Sequence, residues 1–273
     1  MMIKREATDK LFRNARETAH SLCSEEMINN VINPEEETLE DLQLGGLKLI
    51  QKKHGFRYGM DSVLLADFAQ VHPGDTVADF GCGTGILPLL MLGRGKGKNY
   101  IGIEIQEQMV TMARRSVCLN GLEDRVQILQ GDVAQATDML PTGSLDAIVC
   151  NPPYGQPGRV LLNQDEKVAI ARHQKENTLS LFFRAAFLLL KGRGRLFLVY
   201  PAPEMFSLMM ELKSQHLEPK RFRLVYPDLK HPANLVLLEA VKDAHPRLHP
   251  MPPLIVNDEN GHLTNELMSI YHM

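Results

Sequence analysis

From Asp61 onward the apolar positions of the chain fall into two alternating patterns. Short runs rich in β-branched and aromatic residues are DTVADF, YIGIEI, VQILQGD, DAIVCN and RLFLVYP. Between them lie stretches with apolar residues at helical spacing: SVLLADFAQ, ILPLLMLG, QEQMVTMARRSVCLNG, TLSLFFRAAFLLLKG and PEMFSLMMELKSQ. The first kind suits buried strands and the second amphipathic helices. Gly121 and Gly192 stand where two of these helices would be closed by a glycine. The alternation predicts an α/β doubly wound sheet with helices on both faces. The last two apolar runs, FRLVYP and NLVLLEAV, have no helix between them and predict an antiparallel hairpin at one edge. Ahead of Asp61, LQLGGLKLIQ and GFRYG read as short strands around a Gly-Gly turn. The resulting organisation is an acidic extension over residues 1–41, helical or partly disordered, with a linker NPEEETLED. A main domain follows over 42–243. A Pro- and His-rich tail over 244–273 ends in a short helix, TNELMSIYHM.

Composition narrows the class. A chain of 273 residues, 44% hydrophobic and 23% charged, is neither disordered, collagen-like nor a long coiled coil. Its four cysteines (Cys23, Cys82, Cys118, Cys150) are far apart and form no C-x-x-C pair. That argues against a structural metal or a disulfide framework and suits a reducing, cytoplasmic setting. The N-terminus is charged throughout, and Arg184 splits the longest apolar run. Neither a signal peptide nor a membrane span is expected. The net charge of −3 does not by itself suggest a nucleic-acid partner. Its distribution qualifies that. Residues 1–41 hold five Lys/Arg against ten Asp/Glu, whereas residues 191–250 hold ten against six. Lys191, Arg193 and Arg195 form one basic cluster and Lys220, Arg221 and Arg223 another, while Lys52, Lys53 and Arg57 precede the core. Such residues could track phosphates. They equally suit a solvated surface without a partner.

Candidate chemistry sits at the ends of the predicted strands. The first junction reads Asp79-Phe80-Gly81-Cys82-Gly83-Thr84-Gly85. Glycines let the backbone turn tightly and approach a ligand. This G-x-G-x-G spacing differs from the G-x-G-x-x-G of dinucleotide sites, and no Gly-Lys-Ser/Thr follows. The second strand ends at Glu104, 19 residues beyond Gly85, where a carboxylate could accept from ribose hydroxyls. The third ends in Gly131-Asp132, where a carboxylate could accept from an adenine amine. Each acid alone could be a helix N-cap or a solvated loop charge. A glycine turn and two acids at three consecutive strand ends suit adenosine without a pyrophosphate, with S-adenosylmethionine (SAM) as the natural candidate. Asp79, Ile105 and Val133 adjoin these positions and are grouped with the cofactor site.

The fourth strand runs into Asn151-Pro152-Pro153-Tyr154. Two prolines fix the backbone and remove two N–H donors. What remains is a rigid pair of acceptors, the Asn151 side-chain oxygen and the Pro152 carbonyl, followed by an aromatic ring. Such a set could hold a planar amine, stabilise positive charge as its nitrogen attacks an electrophilic methyl, and stack its base on Tyr154. Asn151 thereby joins the two halves of the site. The plainer alternative is a Pro-Pro turn closing a buried strand. The Met-rich MFSLMMELK reads as core packing.

FGCGTG, Glu104, Gly131-Asp132 and NPPY together resemble the motifs of class I SAM-dependent methyltransferases of the amino-methylating type, over about Leu44 to Val241. That resemblance implies a Rossmann-like seven-stranded sheet with a reversed terminal hairpin. It implies that Gly81, Gly83 and Gly85 line SAM, Glu104 holds its ribose and Asp132 its adenine, and that Asn151, Pro152, Pro153 and Tyr154 hold the target amine. NPPY is shared by nucleic-acid adenine-N6 and protein glutamine-N5 enzymes. LGGLKLIQKKHGFRYGMDSVLLADFA, ARHQKENTLSLFFRAAFLLLKGRGRLFLVYP and HPANLVLLEAVK resemble the bacterial tRNA(Val) adenine-N6 methyltransferases, which modify the adenine 3′ to the anticodon. By that resemblance Tyr58 and Asp61 sit near the methionine end of SAM, and Arg172 and His173 near the substrate mouth. His173 equally suits a plain surface histidine. The expected partner is RNA, most specifically tRNA. A protein glutamine-N5 methyltransferase is the first alternative, and the short acidic N-terminus fits it poorly. A non-catalytic nucleotide-binding module or a nicotinamide-dependent oxidoreductase is the second, opposed by the glycine spacing and by NPPY.

Overall fold

A computed structural model of the protein describes residues 32–54, 57–152 and 179–272. Its strands form where the short β-branched and aromatic runs stand. These are β3 (Thr76–Phe80), β4 (Asn99–Glu104), β5 (Val126–Gln130), β6 (Leu145–Cys150), β7 (Leu190–Pro201), β8 (Leu217–Tyr226) and β9 (Leu235–Lys242), after an N-terminal pair β1 (Glu37–Asp41) and β2 (Lys48–Lys52). The helices are α1 (Met60–Phe68), α2 (Ile86–Gly93), α3 (Glu107–Leu119), the single turn α4 (Ala136–Met139), α5 (179–189) and α6 (Met205–Ser214). Two short strands, β10 (His249–Pro250) and β11 (Leu254–Ile255), and the helix α7 (Asn265–Ile270) complete the chain.

The main sheet runs β10-β8-β9-β7-β6-β3-β4-β5, with β11 also on β8. β3 to β7 are parallel, and β9 is antiparallel to both β7 and β8. The seven expected strands are therefore present, with the reversed strand inside the sheet. The tail adds the other two, laid parallel along β8. Alternation along each strand sends residues to two cores. Val77, Ala147, Val149, Phe197 and Val199 meet α1, α2 and α3 on one face. Ala78, Phe80, Ile148, Leu196 and Leu198 meet α5 and α6 on the other. Burying each large aliphatic side chain contributes roughly 1.5–3 kcal/mol, so this two-sided packing is the main stabilising term.

Local chemistry explains the helix ends. α3 stops in a Schellman arrangement: Gly121 is left-handed (φ 62°), its N–H bonds the Cys118 carbonyl, and Leu122 N–H bonds Val117. α5 departs from expectation. It ends at residue 189, β7 begins at Leu190, and the left-handed residue near the start of that strand is Arg193 rather than Gly192. The pairing of Leu145 with Leu190 draws the chain into the sheet before the glycine is reached.

The first hairpin is also displaced. Gly45 and Gly46 do form its turn, both at positive φ. The first strand, however, lies in the acidic stretch read as a linker, and Arg57–Gly59 is not a strand. Glu37 is held by two hydrogen bonds from Arg115 on α3, at 2.8 and 2.5 Å. Asn120 bonds both the N–H and the carbonyl of Lys48, and the Ile50 N–H donates to Ser116. Partners more than 60 residues away thus make a strand out of a charged segment. Among the described residues no helix is long and apolar enough to cross a membrane. Cys118 is disulfide-bonded, which the wide cysteine spacing gave no reason to expect.

The basic clusters have structural work. Arg195 pairs with Asp75, Lys191 with Asp146 and Arg221 with Glu239. Arg221 also lies over the Phe68 ring. Arg223 bonds the Pro252 and Pro253 carbonyls and Glu266, tying the tail to β8. MFSLMMELK is only partly core: Leu208 and Leu212 are buried, whereas Phe206 and Met210 are exposed.

Gly102 on β4 is the tightest point under the first strand-end loop. A Cβ there would lie 2.6 Å from Cys82 Sγ and 2.8 Å from Ile128 Cδ1. Overpacking of this kind costs about 1–3 kcal/mol. Gly102→Ala is therefore expected to lower unfolding free energy by that amount in urea denaturation.

Candidate active site

Register aligns the strand ends. Phe80 pairs with Ile103 on β4 and with Cys150 on β6, and Glu104 pairs with Gln130 on β5. Gly81, Ile105, Gly131 and Asn151 therefore leave the sheet along one edge. Chain order reverses between β3 and β6. The helix after β3, α2, packs on one face, and α5, which follows β6, packs on the other. The two connections diverge and leave a crevice at that switch point. The glycine loop and Asn151 stand on its two sides.

The glycine loop is left-handed at all three glycines, with φ of 71° at Gly81, 54° at Gly83 and 83° at Gly85. Any side chain would cost about 1–2 kcal/mol at each position. A Cβ at Gly81 or Gly83 would meet nothing within 4 Å. Their glycine requirement is therefore one of backbone, and the space above them stays open to a ligand. Gly85 is additionally tight, because its Cβ would lie 3.4 Å from Ala113 on α3. The N–H groups of Gly81 and Cys82 both donate to the Ile103 carbonyl. Glu104 locks the loop further: one carboxylate oxygen accepts from Gly83 N–H at 3.0 Å, the other from Gln106 N–H at 2.9 Å. Each oxygen retains a second lone pair for a ligand hydroxyl.

Asp79 lies beneath this loop, 1% exposed, and neither carboxyl oxygen has a hydrogen-bond partner. Burial pushes its pKa well above the ordinary carboxylate range, and the neighbouring Glu104 adds to the effect. Leaving buried acceptors unpaired costs folding free energy, and such groups are often satisfied by a ligand. Asp132 caps the short turn after β5, accepting from Ala134 N–H at 2.9 Å. Ile105 is 62% exposed at the β4 end and offers an apolar surface there, whereas Val133 is buried. Asn151 is half-buried, its Nδ2 donating to Ser62 Oγ at 3.1 Å, and Pro152 is buried.

Tyr58 and Asp61 sit at the start of α1. Tyr58 packs against the first core, and burial raises its phenol pKa. Asp61 accepts from the Ser62 N–H. Cys82 and Cys150 are buried, and burial raises both thiols, so neither is poised as a nucleophile. Pro153, Tyr154, Arg172 and His173 lie outside the described residues. Ser62 was not anticipated from sequence. Its one signal is a hydroxyl at the head of an otherwise apolar helix face. A cavity of about 150 Å³ lies elsewhere, against Leu64, Phe68, Arg221 and Leu254, and includes none of the strand-end residues.

Residues 59–218, more than half of the chain, match the model of the methyltransferase small domain family. The chain belongs to that family. The match begins at α1 and ends in β8, so it spans the whole strand-end crevice. Relatives extend the likeness. One from Vibrio campbellii, named tRNA1(Val) (adenine(37)-N6)-methyltransferase, is 28% identical over 75% of this chain and 86% of its own. One of the same name from Aliivibrio salmonicida is 22% identical over 80% and 90%. A predicted O-methyltransferase from Agrobacterium tumefaciens has the same fold, with a TM-score of 0.63 at 22% identity, covering 78% of this chain and 96% of that one.

For this methyltransferase the buried carboxyl at Asp79 has a consequence in solution. Its folded pKa is raised above the unfolded value, so its contribution to stability is present at low pH. That contribution is lost as pH climbs through the ordinary carboxylate range toward the raised value. Asp79→Asn removes this titration. Urea denaturation from about pH 4 to about pH 7 should show the stability difference, wild type minus variant, declining with pH. A constant difference would mean that Asp79 does not titrate abnormally.

Proposed function

We propose that this protein is a SAM-dependent methyltransferase of the exocyclic N6 amine of an adenine in tRNA, next to the anticodon, acting in the cytoplasm. The observation that carries the reading is the placement of Asn151-Pro152 across the switch-point crevice from the left-handed glycine loop. Relatives named for tRNA adenine-N6 methylation, matched over most of their length, support the substrate class.

The described residues fit the cofactor. The open face of Gly81 and Gly83 admits close backbone approach. Glu104 can accept ribose hydroxyls while holding the loop, and Asp132 can accept an adenine amine while capping its own turn. The unpaired carboxyl of Asp79 would take up donors that a ligand brings. Ile105 gives the adenine an apolar neighbour. Bound there, SAM supplies an electrophilic methyl on a sulfonium centre.

The chain's own contribution is to hold the amine. An adenine N6 lone pair is delocalised into the ring and is a weak nucleophile. The Asn151 side-chain oxygen and the Pro152 carbonyl accept from its two N–H groups, favour a tetrahedral nitrogen and stabilise the positive charge that develops on it. The Pro152 ring fixes its own φ, which limits the reorganisation that accompanies the reaction. No strong base is required beforehand, because the amine becomes acidic only after it is methylated, and water can then take the proton. Tyr154 would stack on the extruded base.

Asn151→Ala is expected to lower methyl transfer to unmodified tRNA by at least about 100-fold, the range for removing a preorganised transition-state contact, with SAM affinity nearly unchanged by calorimetry. Nucleosides from tRNA of a deletion strain, analysed by mass spectrometry, should lack N6-methyladenosine at the anticodon-adjacent site. Radiolabel from SAM appearing in release factor and not in tRNA would replace this reading with the glutamine-N5 one.

A further inference from the structure

The last residues of the chain return to the crevice. They lie beyond the family match, which ends at residue 218. β10 and β11 run along β8, at the sheet edge remote from β3. A turn then reverses the chain, where the Asp258 carboxylate accepts from the N–H groups of Asn260 and His262. Thr264 closes that turn. Its N–H donates to the Val256 carbonyl and its hydroxyl to the Ile255 carbonyl, and the same hydroxyl accepts from Leu267 N–H to cap α7.

α7 has six residues, too few to be helical by itself, so packing has to hold it. Leu267 and Ile270 are buried in the first core. Arg223 of β8 pairs with Glu266 at one end of the helix. Arg94, just past α2, donates to the Ile270 carbonyl at the other. Between these ties α7 packs on α1.

Tyr271 follows α7 directly. Its half-buried ring packs against the first core, as Tyr58 does. Burial raises its phenol pKa, and the neighbouring Tyr58 and Asp61 add to the effect while Arg94 opposes it. Tyr271 thus stands beside the two residues at the head of α1. Among the described residues its hydroxyl makes no hydrogen bond, so what it offers there is a ring. The head of α1 is where such support counts. Its last turn is pinned by Lys96, whose Nζ donates to the Ala66 and Asp67 carbonyls. Its first turn starts from Gly59 without a side-chain cap, so tertiary packing has more to do.

We propose that Tyr271 is a positioning residue: α7 brings its ring beside Tyr58 and the head of α1, and so holds Tyr58 and Asp61 in place at the methionine end of the cofactor site. This rests on the SAM-binding reading of the preceding section and extends that site to a part of the chain outside the family match.

The test uses the full-length enzyme. SAM affinity is measured by calorimetry and methyl transfer with an unmodified tRNA transcript, both well below the Tm of every variant. Tyr271→Ala is expected to raise Kd for SAM about tenfold and to leave KM for tRNA within about twofold, because a lost support is felt at the group it supports. Tyr271→Phe keeps the ring and should bind SAM within about twofold of wild type. Tyr271→Leu keeps apolar bulk for folding without the ring and should raise Kd at least about threefold. Val236→Ala is the control. It removes packing from the opposite core, so it lowers Tm and should leave Kd unchanged. A Kd unmoved by both Tyr271→Ala and Tyr271→Leu, an equal rise in Val236→Ala, or a loss in Tyr271→Phe as large as that in Tyr271→Ala would overturn the proposal. Absence of SAM binding by the wild-type protein would instead remove the cofactor reading beneath it.

Discussion

The Glu104 carboxylate is the joint on which the crevice depends. It is nearly buried at the end of β4, yet each of its oxygens has a backbone N–H to accept. Through Gly83 it holds the glycine loop after β3, and through Gln106 it holds the start of α3. Two consecutive βα junctions are thereby fixed to each other, and the loop cannot relax without unpairing a buried carboxylate. Such unpairing costs several-fold more than a neutral hydrogen bond contributes. The same arrangement leaves the neighbouring Asp79 without partners and raises its pKa. One acid is satisfied by backbone and the other is not, and the difference lies in which loop amides reach each of them.

Around that joint the fold distributes its work between two faces. α2 and α3, on one face, support the glycine loop. The Gly102 gap admits Cys82 beneath it, and Ala113 leaves room for Gly85. α1 lies on the same face over β7 and β9, where Ser62 meets Asn151 at the end of β6. The crevice is therefore shaped by backbone conformation on the cofactor side and by a side-chain pair on the amine side.

The basic residues show how composition can mislead. Lys191, Arg195, Arg221 and Arg223 suggest a phosphate-tracking surface when counted along the chain. In the folded protein each is matched to a carboxylate, and Arg223 also fastens the tail to the sheet edge through two prolyl carbonyls. Arg223 serves the seam between β8 and the tail that follows β9, whereas Lys191, Arg195 and Arg221 hold acids of neighbouring parts of the sheet. Arg115 does the same at the other end, where it turns an acidic linker into β1.

The sequence by itself determined the sheet's class and the location of its chemistry. The short β-rich apolar runs, the three glycines of FGCGTG and the acids at strand ends are local signals, and local sterics and apolar patterning are enough to produce them. It also placed Asn151 and Pro152 at the end of a strand, since two prolines stop a ladder wherever they occur. Only the tertiary structure decided the rest. β1 is a strand because Arg115 and Asn120 wait for it on α3. α5 ends before Gly192 because Leu190 finds a partner on β6. Ser62 faces Asn151 because α1 packs over β7 and β9, and β6 lies beside β7. Each of these depends on a hydrogen bond or pairing between residues distant in the chain, whose free energy outweighs the local preference, and no pattern read along one segment contains it.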